Sequence, residues 1–200
     1  MRAGGTYNMK RIATKIAASR KFNRATLKNA EKKYAIEKKK LVDRFRNHPV
    51  TQEIQGGPSA SNSSNTLGGR GNLFSYIGFH RSSDPIPPVE RILLMSGRVK
   101  KAKGKTQISK NKIQQNYRAT IPDMKSLRSA SPLPFQGGRS WLFDIETGIS
   151  GFNNYLVKRF SSGRSGTALQ TKKKIRGGSY RPPSNGYIRK LLAQFIASFK

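Results

Sequence analysis

The sequence predicts an α+β fold: a long N-terminal basic helix, a small antiparallel sheet, a C-terminal amphipathic helix and long extended loops between them. Three observations carry this. Residues 8–47 contain neither Gly nor Pro, and Pro49 follows at once. Short β-rich segments alternate with Gly-, Ser- and Pro-rich turns through the middle of the chain. Tyr187, Leu191, Phe195 and Phe199 recur every four residues beside Ile188, Leu192 and Ile196, which gives the last segment one broad apolar face.

Taken in order, residues 8–47 read as one helix with two apolar stripes. Met9, Ile12 and Ile16 form the first; Leu27, Ala30, Tyr34, Leu41 and Phe45 form the second. His48-Pro49 stops it, because a residue before Pro is pushed out of the α region. We therefore place a basic helical arm at 1–48 and an α+β domain at 49–200. Residues 55–72 form a Gly/Ser/Asn loop, and a loop of this length is usually functional or flexible. Leu73–Phe79 reads as a strand buried on both sides, with Leu73, Ser75, Ile77 and Phe79 on one face. Asp84–Pro88 is an elbow that starts a short helix over Val89–Met95. Residues 97–130 form a basic zone in which Gly97 and Gly104 bracket a lysine-rich hairpin and Asn116–Ile121 is a further strand. Ser140 caps a short helix from Trp141, ended by Gly148 and Gly151. Asn154–Phe160 and Thr167–Ile175 read as two strands joined at residues 161–164.

Composition narrows the function. Forty Lys and Arg face nine Asp and Glu in 200 residues, a net charge of +31. Self-repulsion at that level works against a compact monomer and calls for an anionic partner. Leu, Ile, Val and Phe total 43 residues, just above the ~20% below which charged chains stay disordered. A small core is therefore expected, with extended stretches ordered by neighbours. The absence of Cys excludes disulfide scaffolds, zinc fingers, iron–sulfur clusters and thiol catalysis. The longest apolar run, Ile92–Met95, is far short of a membrane span, so no membrane partner is expected. Met1–Ala30 has no acid and has the composition of a transit peptide; we read it as a basic arm that stays attached.

The motifs that would carry chemistry do not hold together. Gly104-Lys105-Thr106 imitates the end of a phosphate-binding loop, but the Gly it needs upstream and the apolar strand before it are missing. Gly148-Ile149-Ser150-Gly151 lacks the spacing of a nucleophile elbow. His48 and His80 have no orienting carboxylate apart from Asp84, four residues after His80, and read as boundary or loop histidines. Asp144 and Glu146 would point to nearly opposite sides of a helix, which suits neither a metal pair nor an acid/base pair. We expect a non-enzymatic protein with no catalytic residues, cofactor or metal. The signal lies in the basic clusters: Lys38-Lys39-Lys40; Lys100, Lys101, Lys103 and Lys105; and Lys172-Lys173-Lys174 with Arg176. Such runs hold phosphate backbones without reading sequence, or hold acidic protein surfaces. Tyr187, Leu191, Leu192, Phe195 and Phe199 are the candidate docking and assembly face.

Two blocks carry a resemblance. One is Asn47-His48-Pro49-Val50-Thr51, then residues 57–62, then Leu67-Gly68-Gly69 and residues 71–79, Gly-Asn-Leu-Phe-Ser-Tyr-Ile-Gly-Phe. The other is Trp141, Ile145-Glu146, Gly148-Ile149-Ser150, residues 163–170 and the C-terminal helix. Together they resemble structural proteins of tailed bacteriophages, those of cyanophages and other marine myoviruses above all, and are similar to neck and tail-completion proteins. The resemblance covers about a third of the chain, which departs from the pattern in being so basic. It implies a virion protein, assembled in the host cytoplasm into a homo-oligomeric ring. Its partners would be portal-side, tube or sheath subunits, with non-specific DNA contact. The 55–72 loop and the 97–130 zone would then reach between subunits. The competing expectation from charge and composition is a ribosomal protein, mitochondrial given the transit-like N-terminus, or another RNA-binding protein. A basic nucleoid or packaging protein is a third.

Overall fold

The computed structural model describes residues 8–67, 71–103, 106–109, 112–134, 136–147, 154–158, 168–174 and 186–199. It is α+β, with short antiparallel strand pairs among helices. The expected single sheet is instead four separate two-stranded pairs among the described residues. The chain divides into two units, Met1–Glu37 with Gly97–Ile121, and Lys38–Ser96 with Pro122–Lys200. These units are divided at positions other than residue 48.

The N-terminal helix is two helices, α1 (Met9–Ala18) and α2 (Arg20–Arg46). Ser19 separates them with an extended ψ of 138°. Its hydroxyl accepts from the Phe22 amide at 3.2 Å, and Asn23 Nδ2 donates to the Ala17 and Ser19 carbonyls at 3.1 and 2.9 Å. A serine is a favoured N-cap, so one polar residue restarts the helix where no Gly or Pro marks a break. The apolar residues of α1 stay in solvent, Met9 59% and Ile16 44% exposed. The second stripe is used: Tyr34, Leu41 and Phe45 are buried. Its residues divide between the units. Tyr34 belongs to the first, whereas Leu41, Val42 and Phe45 enter the core of the second.

In the first unit, β1 (Val99–Lys101) pairs antiparallel with β4 (Tyr117–Ala119), and β2 (Gln107–Ser109) pairs with β3 (Lys112–Gln114). The nested pairing makes one ribbon, so the hairpin expected between Gly97 and Gly104 does not form. β1 finds its partner across the whole ribbon. A polar seam holds the ribbon on α2. Tyr117 Oη donates to Thr26 Oγ1 at 2.6 Å, Thr26 Oγ1 bonds Gln115 Oε1 at 3.0 Å, and Gln115 Nε2 donates to Asn23 Oδ1 at 2.8 Å. Tyr34 Oη donates to the Thr120 carbonyl at 3.0 Å, and burial raises its pKa. Gly97, at φ +87°, is what lets Tyr34 and Thr120 approach so closely.

The second unit contains α3 (Pro49–Gln55), α4 (Leu73–Ile77), α5 (Ile86–Met95), α6 (Met124–Ser129), β5 (Pro132–Leu133), β6 (Gln136–Ser140), α7 (Trp141–Thr147), β7 (Asn154–Lys158), β8 (Ala168–Lys174) and α8 (Ile188–Ala197). β5 pairs with β6 and β7 with β8, both antiparallel. The expected strand over Leu73–Phe79 is α4. Asn72 caps it, Oδ1 accepting from the Ser75 amide at 2.9 Å, and Gly78 ends it in the left-handed region at φ +82°. All five helical residues are buried, so no polar face marks the helical period and the apolar run reads equally well as a strand. α5 begins three residues before the expected Val89, with Pro in its first turn. Ser140 precedes α7 as expected, its Oγ 3.4 Å from the Phe143 amide. Gly148, Gly151 and residues 161–164 lie outside the described residues.

The loop after α3 is not an open linker. Glu53 is 1% exposed, and its two carboxylate oxygens accept from the Leu73 amide at 2.7 Å and the Ser64 amide at 2.9 Å. Asn72 Nδ2 donates to the Pro58 and Ala60 carbonyls at 2.8 and 3.1 Å. Thr66 and Leu67 are buried. These contacts fold the described part of the loop back on itself.

Candidate polyanion interface

Several acids of the chain are committed inside the second unit. Arg46 Nε donates to Glu90 at 3.1 Å, and that bond holds the Glu90 carboxyl below its usual range. Asp144 pairs with Arg139 at 3.0 Å, and Glu146 with Arg189 at 3.1 Å, so the two acids of α7 serve different partners as their helical spacing requires. Glu146 Oε1 also accepts from the Arg189 amide in the first turn of α8, and burial nevertheless raises its pKa. Asp123 caps α6 through the Ser126 amide at 3.3 Å. The basic surplus is left facing outward.

The sequence-derived basic residues divide between the two units, Lys100, Lys101 and Lys103 in the first and Lys38, Lys39, Lys40, Lys172, Lys173 and Lys174 in the second. Lys38, Lys39 and Lys40 are consecutive on α2 and therefore point about 100° apart around it. Lys39 and Lys40 are exposed; Lys38 is half-buried, and that burial lowers its pKa. Lys100 and Lys103 are exposed. Lys101 has a structural role, its Nζ donating to Asn23 Oδ1 at 2.8 Å. Lys172, Lys173 and Lys174 lie on β8, and Lys105 and Arg176 fall outside the described residues.

A tighter basic group was missed. In the β1–β4 register Lys100 stands directly opposite Arg118, and Arg98 precedes Lys100 by two residues on the same side. All three are exposed. The alternation of residues 98–101 and 117–120 holds the signal, but only once β1 is known to pair with β4.

The helix expected to dock does so within its own unit. Tyr187, Ile188, Leu191, Leu192 and Phe195 are buried; Phe199 is half-buried and Ile196 is 43% exposed. Tyr187 is fully enclosed. Its hydroxyl bonds Thr51 Oγ1, its ring stacks on Phe45 with centroids 6.0 Å apart, and His48 packs on it at 4.6 Å. Burial pushes the Tyr187 phenol strongly upward. His48 is a boundary residue as expected, its Nδ1 accepting from the Val50 amide at 3.3 Å to cap α3.

No protein family, curated protein or solved structure matches this chain. Its own geometry therefore bears the functional argument. Among the described residues no group of three or more His, Cys, Asp or Glu could hold a metal ion, and no helix is long and apolar enough to cross a membrane. What the arrangement offers is one unit in which Glu53, Glu90, Asp123, Asp144 and Glu146 have partners, and another whose residues 97–121 hold eight Lys and Arg and no acid.

Proposed function

We propose that this chain is a non-enzymatic structural subunit of a tailed-phage particle. Its place is the head–tail connector, neck or tail-completion assembly, where basic surfaces hold acidic neighbours or DNA. The observation that carries the reading is where the two resembling blocks go. They fold onto each other: Thr51 bonds Tyr187 in the core, and the Phe79 ring meets Trp141 edge-on at 6.0 Å. Described residues of both blocks thus meet in the core of one unit. Charge supports it as well, because a subunit of net charge +31 is completed by anionic neighbours rather than by itself.

Native mass spectrometry tests this on nuclease-treated protein purified in high salt and then stepped down. A closed oligomer, or one formed with an acidic virion subunit, supports the proposal. A monomer that captures structured RNA far more tightly than duplex DNA overturns it in favour of a ribosomal or other RNA-binding role.

A further inference from the structure

We propose that the outward face of the β1–β4 ribbon, formed by Arg98, Lys100 and Arg118, is a contact surface for the phosphate backbone of duplex DNA. Strand alternation sorts its side chains. Tyr117 and Lys101 are cross-strand partners, and both bond residues of α2, Thr26 and Asn23, so their face lies on the helix. Val99 and Ala119 share that face and are half-buried. Arg98, Lys100, Arg118 and Thr120 take the other side, and all four are exposed.

Lys100 and Arg118 are directly opposed, which puts their Cβ atoms about 5 Å apart, and like charges so placed destabilise a ribbon. Arg98 adds a third charge about 7 Å along the strand. Residues 97–121 contain eight Lys and Arg and no acid, and none of the three takes part in an ion pair among the described residues. The fold gains nothing from this concentration of charge, whereas a bound anion would turn the repulsion into bridging.

The face also selects among anions. It has no apolar or aromatic side chain to seed the dry centre of a protein interface. Toward the far end of the ribbon the exposed side chains are Gln107, Ser109, Lys112 and Gln114, again polar. A two-stranded ribbon is a width that the major groove of duplex DNA admits, with phosphates flanking it on both sides. The inference rests on the particle reading only for where the DNA comes from.

The test uses the full chain, freed of nucleic acid, with a fluorescein-labelled duplex of mixed sequence and KCl from about 50 to 200 mM. Each phosphate contact contributes about 0.9 to the slope of log K against log salt. The triple variant R98Q/K100Q/R118Q is expected to lose about 2.7 from that slope and to bind roughly 500-fold more weakly near 0.1 M salt. A control of equal charge, K15Q/K28Q/K125Q, removes three scattered exposed lysines and is expected to change the slope by less than about one. The variant K100E places an acid opposite Arg118; it is expected to raise the melting temperature and weaken DNA binding. Equal slopes for the triple variant and the control overturn the proposal. So does a lower melting temperature in the triple variant, which would mean that these residues serve the fold, or tighter binding of poly-glutamate than of DNA at matched charge. A ring that forms while the triple variant binds DNA normally defeats this inference alone; a monomer whose DNA binding fails in the triple variant defeats the particle reading alone.

Discussion

Replacing Glu53 by Gln isolates the contact that organises the 55–72 segment. Glu53 is fully buried with no ion-pair partner among the described residues, and its oxygens meet two backbone donors, Leu73 N–H and Ser64 N–H. Glutamine keeps the shape but offers one acceptor and one donor. One amide keeps a neutral hydrogen bond, and the other faces an NH₂ group. The loss combines a charge-assisted hydrogen bond, about 1.5–3 kcal/mol, with an orphaned buried N–H, about 1–3 kcal/mol. Relief from burying a charge offsets part of this, so we expect about 2–4 kcal/mol of destabilisation. Urea unfolding followed by Trp141 fluorescence measures it, since Trp141 is the single tryptophan and lies in the same unit. Hydrogen exchange should show lost protection at Ser64 and Leu73 together. A change under about 0.5 kcal/mol, or exchange that speeds up at neither amide, would refute the view that one carboxylate closes this loop.

In the other unit, Gly97→Ala is expected to cost more than about 2 kcal/mol, because a Cβ there meets the Tyr34 hydroxyl and the Thr120 carbonyl at a left-handed φ. Amide exchange at Thr120 should accelerate while Trp141 fluorescence stays unchanged; a stable ribbon in the variant would count against the seam. The His48 pKa is depressed by burial and then by the charge of Lys190, so the unfolded chain takes up its proton first. Its stabilising contribution is complete above the unfolded value of about 6.5 and is lost as pH falls from there toward the depressed value. The urea midpoint should drop between pH 7 and 5, and His48→Asn, which keeps a capping acceptor, should flatten that drop. An identical pH profile in the variant would place the titration elsewhere.

Features that depend on local chemistry were legible in the sequence. The α+β class, the stop at His48-Pro49, the proline-led start of the helix before Met95, the Ser140 boundary and the apolar face of the last helix all follow from spacing and from residues with strong backbone preferences. The charge is equally a property of the chain alone. Tertiary structure decided whatever depends on which distant residue stands opposite. α4 is a helix because Asn72 and Gly78 cap it, while complete burial removes the polar face that would reveal its period. Ser19 breaks the first helix because Asn23 and Phe22 use its polar groups, an arrangement no apolar pattern records. Glu53 has two amides as partners, one 11 and one 20 residues away, which no local pattern announces. The candidate interface divides in the same way. Lys100 was legible as part of a basic run, but Arg118 joins it only through a pairing that spans the whole ribbon. Charge density is additive along a chain and can be counted; a charged face is made by register, which only the folded backbone sets.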